Sequence, residues 1–174
     1  MNYSVIKDCD IANGEGIRVS LFVSGCRNHC KECFNPETWD FNYGKPFTET
    51  SEQEILNLLK PSHIKGLTLL GGEPFEQENQ PALICLVKKV KELYPQKDIW
   101  CFTGFTLDKE LWGNSRASGE NCNKLLSYID TLVDGRFIKE LKNLKLKFRG
   151  SSNQRIINVQ ESLKQKKVIL SDLN

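Results

Sequence analysis

Arg18-Val-Ser-Leu-Phe-Val-Ser24, closed by Gly25 and followed at once by Cys26-Arg-Asn-His-Cys30-Lys-Glu-Cys33, is the stretch from which the fold can be read. The first half is a β-branched and aromatic run bounded by glycine, the signature of a buried strand. The second half is a cysteine loop at the strand's carboxyl end. The same pairing of strand and loop recurs downstream. Gly66–Leu70 reads as a second strand that stops at Gly71-Gly72-Glu73-Pro74, Asp98–Thr103 as a third before Gly104, and Ile129–Val133 as a fourth ending at Asp134-Gly135. Helical patterns fall between them. Ser51-Glu52-Gln53-Glu54 has capping-box spacing ahead of Ile55, Leu58 and Leu59. Gln80–Tyr94 repeats apolar residues at Leu83, Leu86, Val87, Val90 and Tyr94. A third helical segment is expected between Leu107 and Tyr128. The order βαβαβαβ argues for parallel strands joined by right-handed crossovers, hence an α/β sheet or a partial barrel. In such architectures ligands bind at the carboxyl ends of the strands, where the cysteine loop, the Gly-Gly-Glu-Pro turn and Thr103-Gly104 all fall.

The chain's 174 residues, 39% of them hydrophobic, suit one domain spanning 1–174, with no interdomain linker or internal repeat. Its 24 Lys and Arg against 22 Asp and Glu leave a net charge of +2, which does not suggest a nucleic-acid binder. Met1–Asp10 lacks the apolar core of a signal peptide, and the longest clear apolar run, Ala82–Val87, is far short of the ~20 residues that span a bilayer. A cytoplasmic protein without a membrane segment is expected. Seven cysteines, an odd number and about 4% of the chain, fit a reducing compartment better than a disulfide scaffold.

Cys26, Cys30 and Cys33 have the spacing C-x3-C-x2-C. Three thiolates within eight residues can serve one metal centre, and soft sulfur selects zinc, copper(I) or iron–sulfur. Structural zinc is closed by four ligands and an ordinary [4Fe–4S] cluster by four cysteines, yet no fourth cysteine lies nearby. His29 stands inside the loop as the alternative fourth ligand, and no distal ligand pair follows as in a zinc finger. The remaining cysteines lack ligand spacing. Cys101 sits on a strand as a small buried hydrophobe, Cys85 falls off the apolar stripe of its helix, and Cys9 and Cys122 carry no assignment.

The cysteine triad after the first strand, with Gly71-Gly72-Glu73-Pro74 after the second, resembles the radical S-adenosylmethionine (SAM) superfamily. The resemblance implies a [4Fe–4S] cluster held by Cys26, Cys30 and Cys33, its fourth iron chelated by SAM, in a partial (β/α) barrel. It implies SAM contacts from Gly71 and Gly72 through close backbone approach and from Glu73 as an acceptor for the methionyl ammonium. The superfamily often places an aromatic residue just before the third cysteine. Here Glu32 holds that position and Phe34 follows Cys33, so the adenine side is assigned to Glu32, Cys33 and Phe34. Asn13-Gly14-Glu15-Gly16, Leu21–Cys26, Asp98–Trp100, Leu132–Phe137 and Arg149–Gln154 are similar to one branch in particular, the activases of anaerobic ribonucleoside-triphosphate reductase. For that branch the implied reaction installs a glycyl radical on the reductase large subunit, with a flavodoxin-type electron donor. An activase of another glycyl radical enzyme, or a small-molecule radical SAM enzyme like the deazaguanine synthases, is the alternative.

Simpler roles compete for several of these segments. Gly71–Pro74 alone is an ordinary turn signal, and Asn13–Gly16 reads better as a turn than as a site cover. Asp134-Gly135 could merely end a strand and Arg149–Gln154 form a capped loop. Arg136–Arg155 carries seven basic residues against Glu140 alone. Such a run is ordinarily a solvated face; the alternative, in an activase, is a docking surface for an acidic partner, either the protein substrate or the electron donor.

Overall fold

The computed structural model describes all 174 residues as a seven-stranded sheet flanked by four α-helices. In chain order the strands are β1 (Asn2–Asp10), β2 (Ile17–Val23), β3 (Lys45–Pro46), β4 (Ile64–Gly71), β5 (Asp98–Phe102), β6 (Thr131–Asp134) and β7 (Arg155–Asn158). The helices are α1 (Glu49–Leu59), α2 (Gln80–Leu93), α3 (Glu120–Leu126) and α4 (Val159–Gln165). Across the sheet the strands run β3-β1-β2-β4-β5-β6-β7. The central pairs β2–β4, β4–β5 and β5–β6 are parallel, as the alternating pattern requires, while β1 and β3 at one end and β7 at the other add antiparallel edges. The architecture is therefore a mixed α/β sheet.

Each parallel strand lies beside the next in sequence, so right-handed crossovers send the intervening helices to the same face. The main apolar core forms there. Val19, Leu21, Leu67, Leu69, Ile99 and Leu132 of the strands pack under buried residues of α1, α2 and α3 such as Ile55, Leu83, Val87 and Leu125. The period-2 alternation sends Arg18, Ser20, Phe22, Thr68, Leu70, Trp100 and Phe102 to the opposite face, which no α-helix of the crossovers covers. There Trp100, Val133 and Ile156 form a small cluster with Phe148. Arg18, fully buried, donates to Thr68 Oγ1 at 2.7 Å and pairs with Asp98 at 2.5 Å, with its guanidinium over the Trp100 ring.

Three expectations need correction. Helix α1 starts at Glu49 under Thr48, whose amide donates to Ser51 Oγ at 3.4 Å, so Ser51 supplies the return half of the cap rather than starting the helix. The segment between Leu107 and Tyr128 is broken into a π-helical turn, Leu107–Leu111, and the short α3, because Gly113 and a left-handed Gly119 interrupt it. Strands β1, β3 and β7, outside the four parallel ones, are additional. Asn13–Gly16 closes the β1–β2 turn, and its Asn13 carbonyl accepts from Thr68.

Candidate functional site

The carboxyl ends of β2, β4, β5 and β6 surround a cavity of about 560 Å3, within the range of small-molecule sites. Its walls include Cys26, Cys30 and Cys33 on the loop after β2, Gly71 at the end of β4 with Gly72 and Glu73 after it, Thr103 and Gly104 after β5, and Gly135 and Phe137 after β6. The four motif-bearing strand ends thus share one space. A roof over the uncovered sheet face completes it, contributed by Lys142, Leu144, Leu146, Phe148 and Arg149.

The cysteine loop is fastened from beneath by backbone. Gly25 N–H donates to Thr38 O at 2.8 Å, Cys26 N–H to Trp39 O at 3.2 Å, and Glu73 N–H returns to Gly25 O at 2.9 Å. Gly72 N–H donates to Val23 O at 2.7 Å. A Cβ on Gly72 would sit 2.7 Å from Gly25 O and 3.0 Å from Thr38 O, so this glycine lets β4 pack against the base of the cysteine loop. Its bare face meets protein backbone. The Gly-Gly step is thus needed for loop packing before any ligand is considered.

Glu73 is the polar hub. Its side chain is 1% exposed, and its two oxygens accept four hydrogen bonds: from Thr103 Oγ1 at 2.8 Å, Phe75 N–H at 3.0 Å, Gly104 N–H at 2.8 Å and Asn28 Nδ2 at 3.0 Å. Burial pushes its carboxyl up to about 7, against the pull of these donors. The carboxylate ties β4 to β5 and, through Asn28, to the cysteine loop. A Cβ on Gly104 would lie 2.4 Å from Asn28 Nδ2, which accounts for glycine at the end of β5. A second buried carboxylate, Glu76, accepts from Arg27 N–H at 2.8 Å and pairs with the Arg27 guanidinium at 2.7 Å and that of Arg116 at 3.1 Å. Asn28, Glu76 and Arg116 had no motif to mark them, because each acts through a tertiary hydrogen bond.

The three thiols carry backbone donors of their own. The amides of Asn28 and His29 approach Cys26 Sγ, that of Phe137 approaches Cys30, and Asn35 N–H donates to Cys33 Sγ at 3.4 Å. Burial, with the Glu73 charge second, pushes the Cys26 thiol up to about 12, so ligation there must displace a proton. No group of three or more His, Cys, Asp or Glu side chains closes on a single point, which is what one ion would need. A cluster asks something different, since each thiolate takes a different iron. Three soft donors on one cavity wall, each reached by an N–H group, fit a cluster of that kind. His29 stacks on Trp39 with ring centroids 4.6 Å apart.

Of the residues expected on the cofactor side, Cys33, Phe34, Gly71, Gly72 and Glu73 line the cavity and Glu32 does not. Glu32 occupies a left-handed turn and extends to pair with Lys139 at the surface. Phe34 is 73% exposed at the cavity mouth, 5.9 Å from the Phe137 ring centroid. Asp134 is absorbed into structure: it accepts from Leu107 N–H at 2.8 Å and pairs with Arg155 at 2.6 Å. Gln154 likewise holds the roof's base, accepting from Gly150 N–H at 2.8 Å and donating to Gly135 O at 3.0 Å. Cys101 and Cys122 are buried, and Cys9 and Cys85 exposed.

Residues 12–157 match a family described as a 4Fe-4S single cluster domain. The chain is 46% identical over 156 residues to a protein of Haemophilus influenzae named anaerobic ribonucleoside-triphosphate reductase-activating protein, covering 88% of this chain and 96% of that one. Proteins of the same name from Escherichia coli K12 and from phage T4 are 41% and 40% identical, over 88% and 90% of this chain and 96% and 93% of theirs.

Proposed function

The chain belongs to the anaerobic ribonucleoside-triphosphate reductase-activating protein family, and from that premise we propose that it generates the glycyl radical of the reductase by reductive cleavage of SAM. The observation that carries this is the shared cavity. Three thiols with no fourth partner in their loop face the same space as the Gly71–Glu73 strand end. Cys26, Cys30 and Cys33 would hold a [4Fe–4S] cluster beside the Gly71–Glu73 strand end, and the bound cluster would supply the one electron for cleavage of SAM to methionine and the 5′-deoxyadenosyl fragment that takes a hydrogen atom from a glycine Cα of the reductase.

The protein's share is to hold and to exclude. Cys26, Cys30 and Cys33 ligate as thiolates, and the amides of Asn28, His29, Asn35 and Phe137 offset their charge. Glu73 fixes the strand ends against the cysteine loop. Its oxygens are already saturated by four donors, so any ammonium near it is served by its charge more than by a free lone pair. Phe34 and Phe137 flank the mouth and offer ring faces to an adenine. The sequential strand order, with the crossover helices on one face, supports a partial barrel of the radical SAM type in which residues 1–174 act as one domain. A cytoplasmic location and a flavodoxin-type donor complete the proposal.

Anaerobic reconstitution tests it. About four iron and four sulfide per chain, SAM cleavage under reduction and a glycyl-radical EPR doublet on added reductase are expected. A colourless protein retaining one zinc would overturn it.

A further inference from the structure

Behind the roof lies a segment beyond the matched family region, which stops at residue 157. After α4 the chain doubles back along β7. Asn158 N–H donates to Ile169 O at 2.9 Å, Leu170 bridges Ile157, and Ser171 N–H donates to Ile156 O at 2.8 Å. The Asn174 side chain then ties this return to the roof. Its Nδ2 donates to Ile156 O and Ser171 O, while its Oδ1 accepts from Ile156 N–H at 3.2 Å and from Arg149 Nη1 at 2.6 Å. Arg149 lines the cavity, and no carboxylate pairs with it. Apart from Asn174 it donates only to Gln154 O, at 3.0 Å, and its Nε is buried without a partner. Its neighbour Phe148, also on the cavity wall, has a left-handed backbone with φ +55°, which a bulky residue keeps only where its surroundings fix it. Those surroundings are the Trp100 ring, 5.4 Å away and edge-on, and the Trp100–Val133–Ile156 cluster, on which Leu173 packs as well.

We propose that Leu173 and Asn174 are positioning residues for the cavity: they hold Phe148 and Arg149 of the roof in place, and SAM binding depends on them through Arg149. The inference rests on the proposed function for the identity of the ligand. A guanidinium has five N–H donors and a permanent charge. In Arg149 one nitrogen is spent on two neutral oxygens, so its charge is left uncompensated on the cavity wall. The bond to Asn174 Oδ1 is short and charge-assisted, and it orders a long side chain before any ligand arrives. Ordering it beforehand removes a cost that binding would otherwise carry. Leu173 acts one residue earlier in the roof. Without it the cluster under Phe148 loses a wall, the left-handed backbone is free to relax, and Arg149 moves with it.

The test measures equilibrium SAM affinity and amide hydrogen exchange on the reconstituted holoprotein. Asn174→Ala is expected to weaken SAM binding about tenfold. It should also speed exchange of the Asn143 and Gly150 amides, which bond to Gly150 O and Gln154 Oε1 beside Arg149, while iron content and exchange in β4 and β5 stay as in the wild type. Leu173→Ala should act in the same direction, and the volume-conserving Leu173→Met should restore wild-type affinity. In an Arg149→Met background Asn174→Ala should add no further loss, because the two side chains work as one unit. Unchanged SAM affinity in Asn174→Ala overturns the proposal. So does a loss that simply adds to that of Arg149→Met, or one accompanied by lower iron content and faster exchange in β4 and β5, since either means that Asn174 serves the fold at large. A wild-type holoprotein that binds no SAM would instead sink the proposed function, while exchange in the roof would still report on Leu173 and Asn174, so the two failures are distinguishable.

Discussion

The cysteine loop and the roof hairpin face each other across one cavity but are held in opposite ways. The loop, Gly25–Asn35, rests on two carboxylates, Glu73 and Glu76, each 1% exposed, and on backbone bonds from β4 and from Thr38–Trp39. The roof, Ile138–Gly150, is tied at its base through Ser151, Gln154 and Asn153, while its tip presents leucines and lysines to solvent. Buried charges that lose a partner are costly, so the loop has one arrangement. Exposed side chains with no partner cost little to move. One wall is built to keep a rigid constellation and the other leaves its tip free.

The sharpest way to break that contrast is to remove a thiol. Cys26→Ala, Cys30→Ala and Cys33→Ala should each abolish SAM cleavage, because a three-thiolate set has no spare ligand. Iron content and cleavage measured together decide it: a Cys33→Ala protein with a full cluster and wild-type cleavage would remove Cys33 from the set.

Gly72→Val comes next. The sequence suggests that a side chain here would block SAM alone, leaving the cluster intact. The backbone geometry changes that expectation, since the new Cβ meets Gly25 O and Thr38 O within 3.0 Å. The variant should therefore lose cluster occupancy as well as SAM affinity, with about 1–3 kcal/mol of stability. A full cluster with only SAM affinity reduced would restore the simpler role.

Glu73→Gln probes the same wall by pH. Burial raises the carboxyl to about 7, so its proton is held more tightly folded than unfolded. Its contribution to stability is present below pH about 4.5 and is lost as pH rises through about 7, a change on the order of 3 kcal/mol. Compared in the same cluster state, the wild type's unfolding midpoint should fall over that window relative to the Gln variant's. Parallel curves would mean that Glu73 is ionised throughout, with its four donors outweighing burial.

What could be read in the sequence follows from which forces act locally. Arg18–Ser24 and Gly66–Leu70 are legible because their β-branched, aromatic and leucine residues fall in short runs closed by glycine, and the cysteine spacing declares itself without any fold. Strand β1, Asn-Tyr-Ser-Val-Ile-Lys-Asp-Cys-Asp, is covered on its outer side only by the two-residue β3, and its mixed polarity reflects that exposure, so no pattern marks it. Glu73 was visible as part of a turn, but its role as a four-donor hub needs Asn28 and Thr103, 45 and 30 residues away. Glu32 illustrates the converse. Adjacency to Cys33 suggested the cavity, and a left-handed backbone turned it outward.

That residue also gives the smallest predicted effect, because Glu32–Lys139 is the one ion pair joining the two walls. Both side chains are close to half exposed, and an exposed pair gains little over its separate hydration and is screened by salt. If the loop is set by buried carboxylates and the roof by its base, cutting this link should disturb neither. Glu32→Gln is expected to leave cluster content, unfolding midpoint and SAM affinity unchanged within error, at low and at high salt. Equilibrium binding of SAM is the deciding measurement. A tenfold weakening would return Glu32 to the adenine side of the site, and a change in midpoint that vanishes at high salt would mean the two walls lean on each other more than their separate anchors imply.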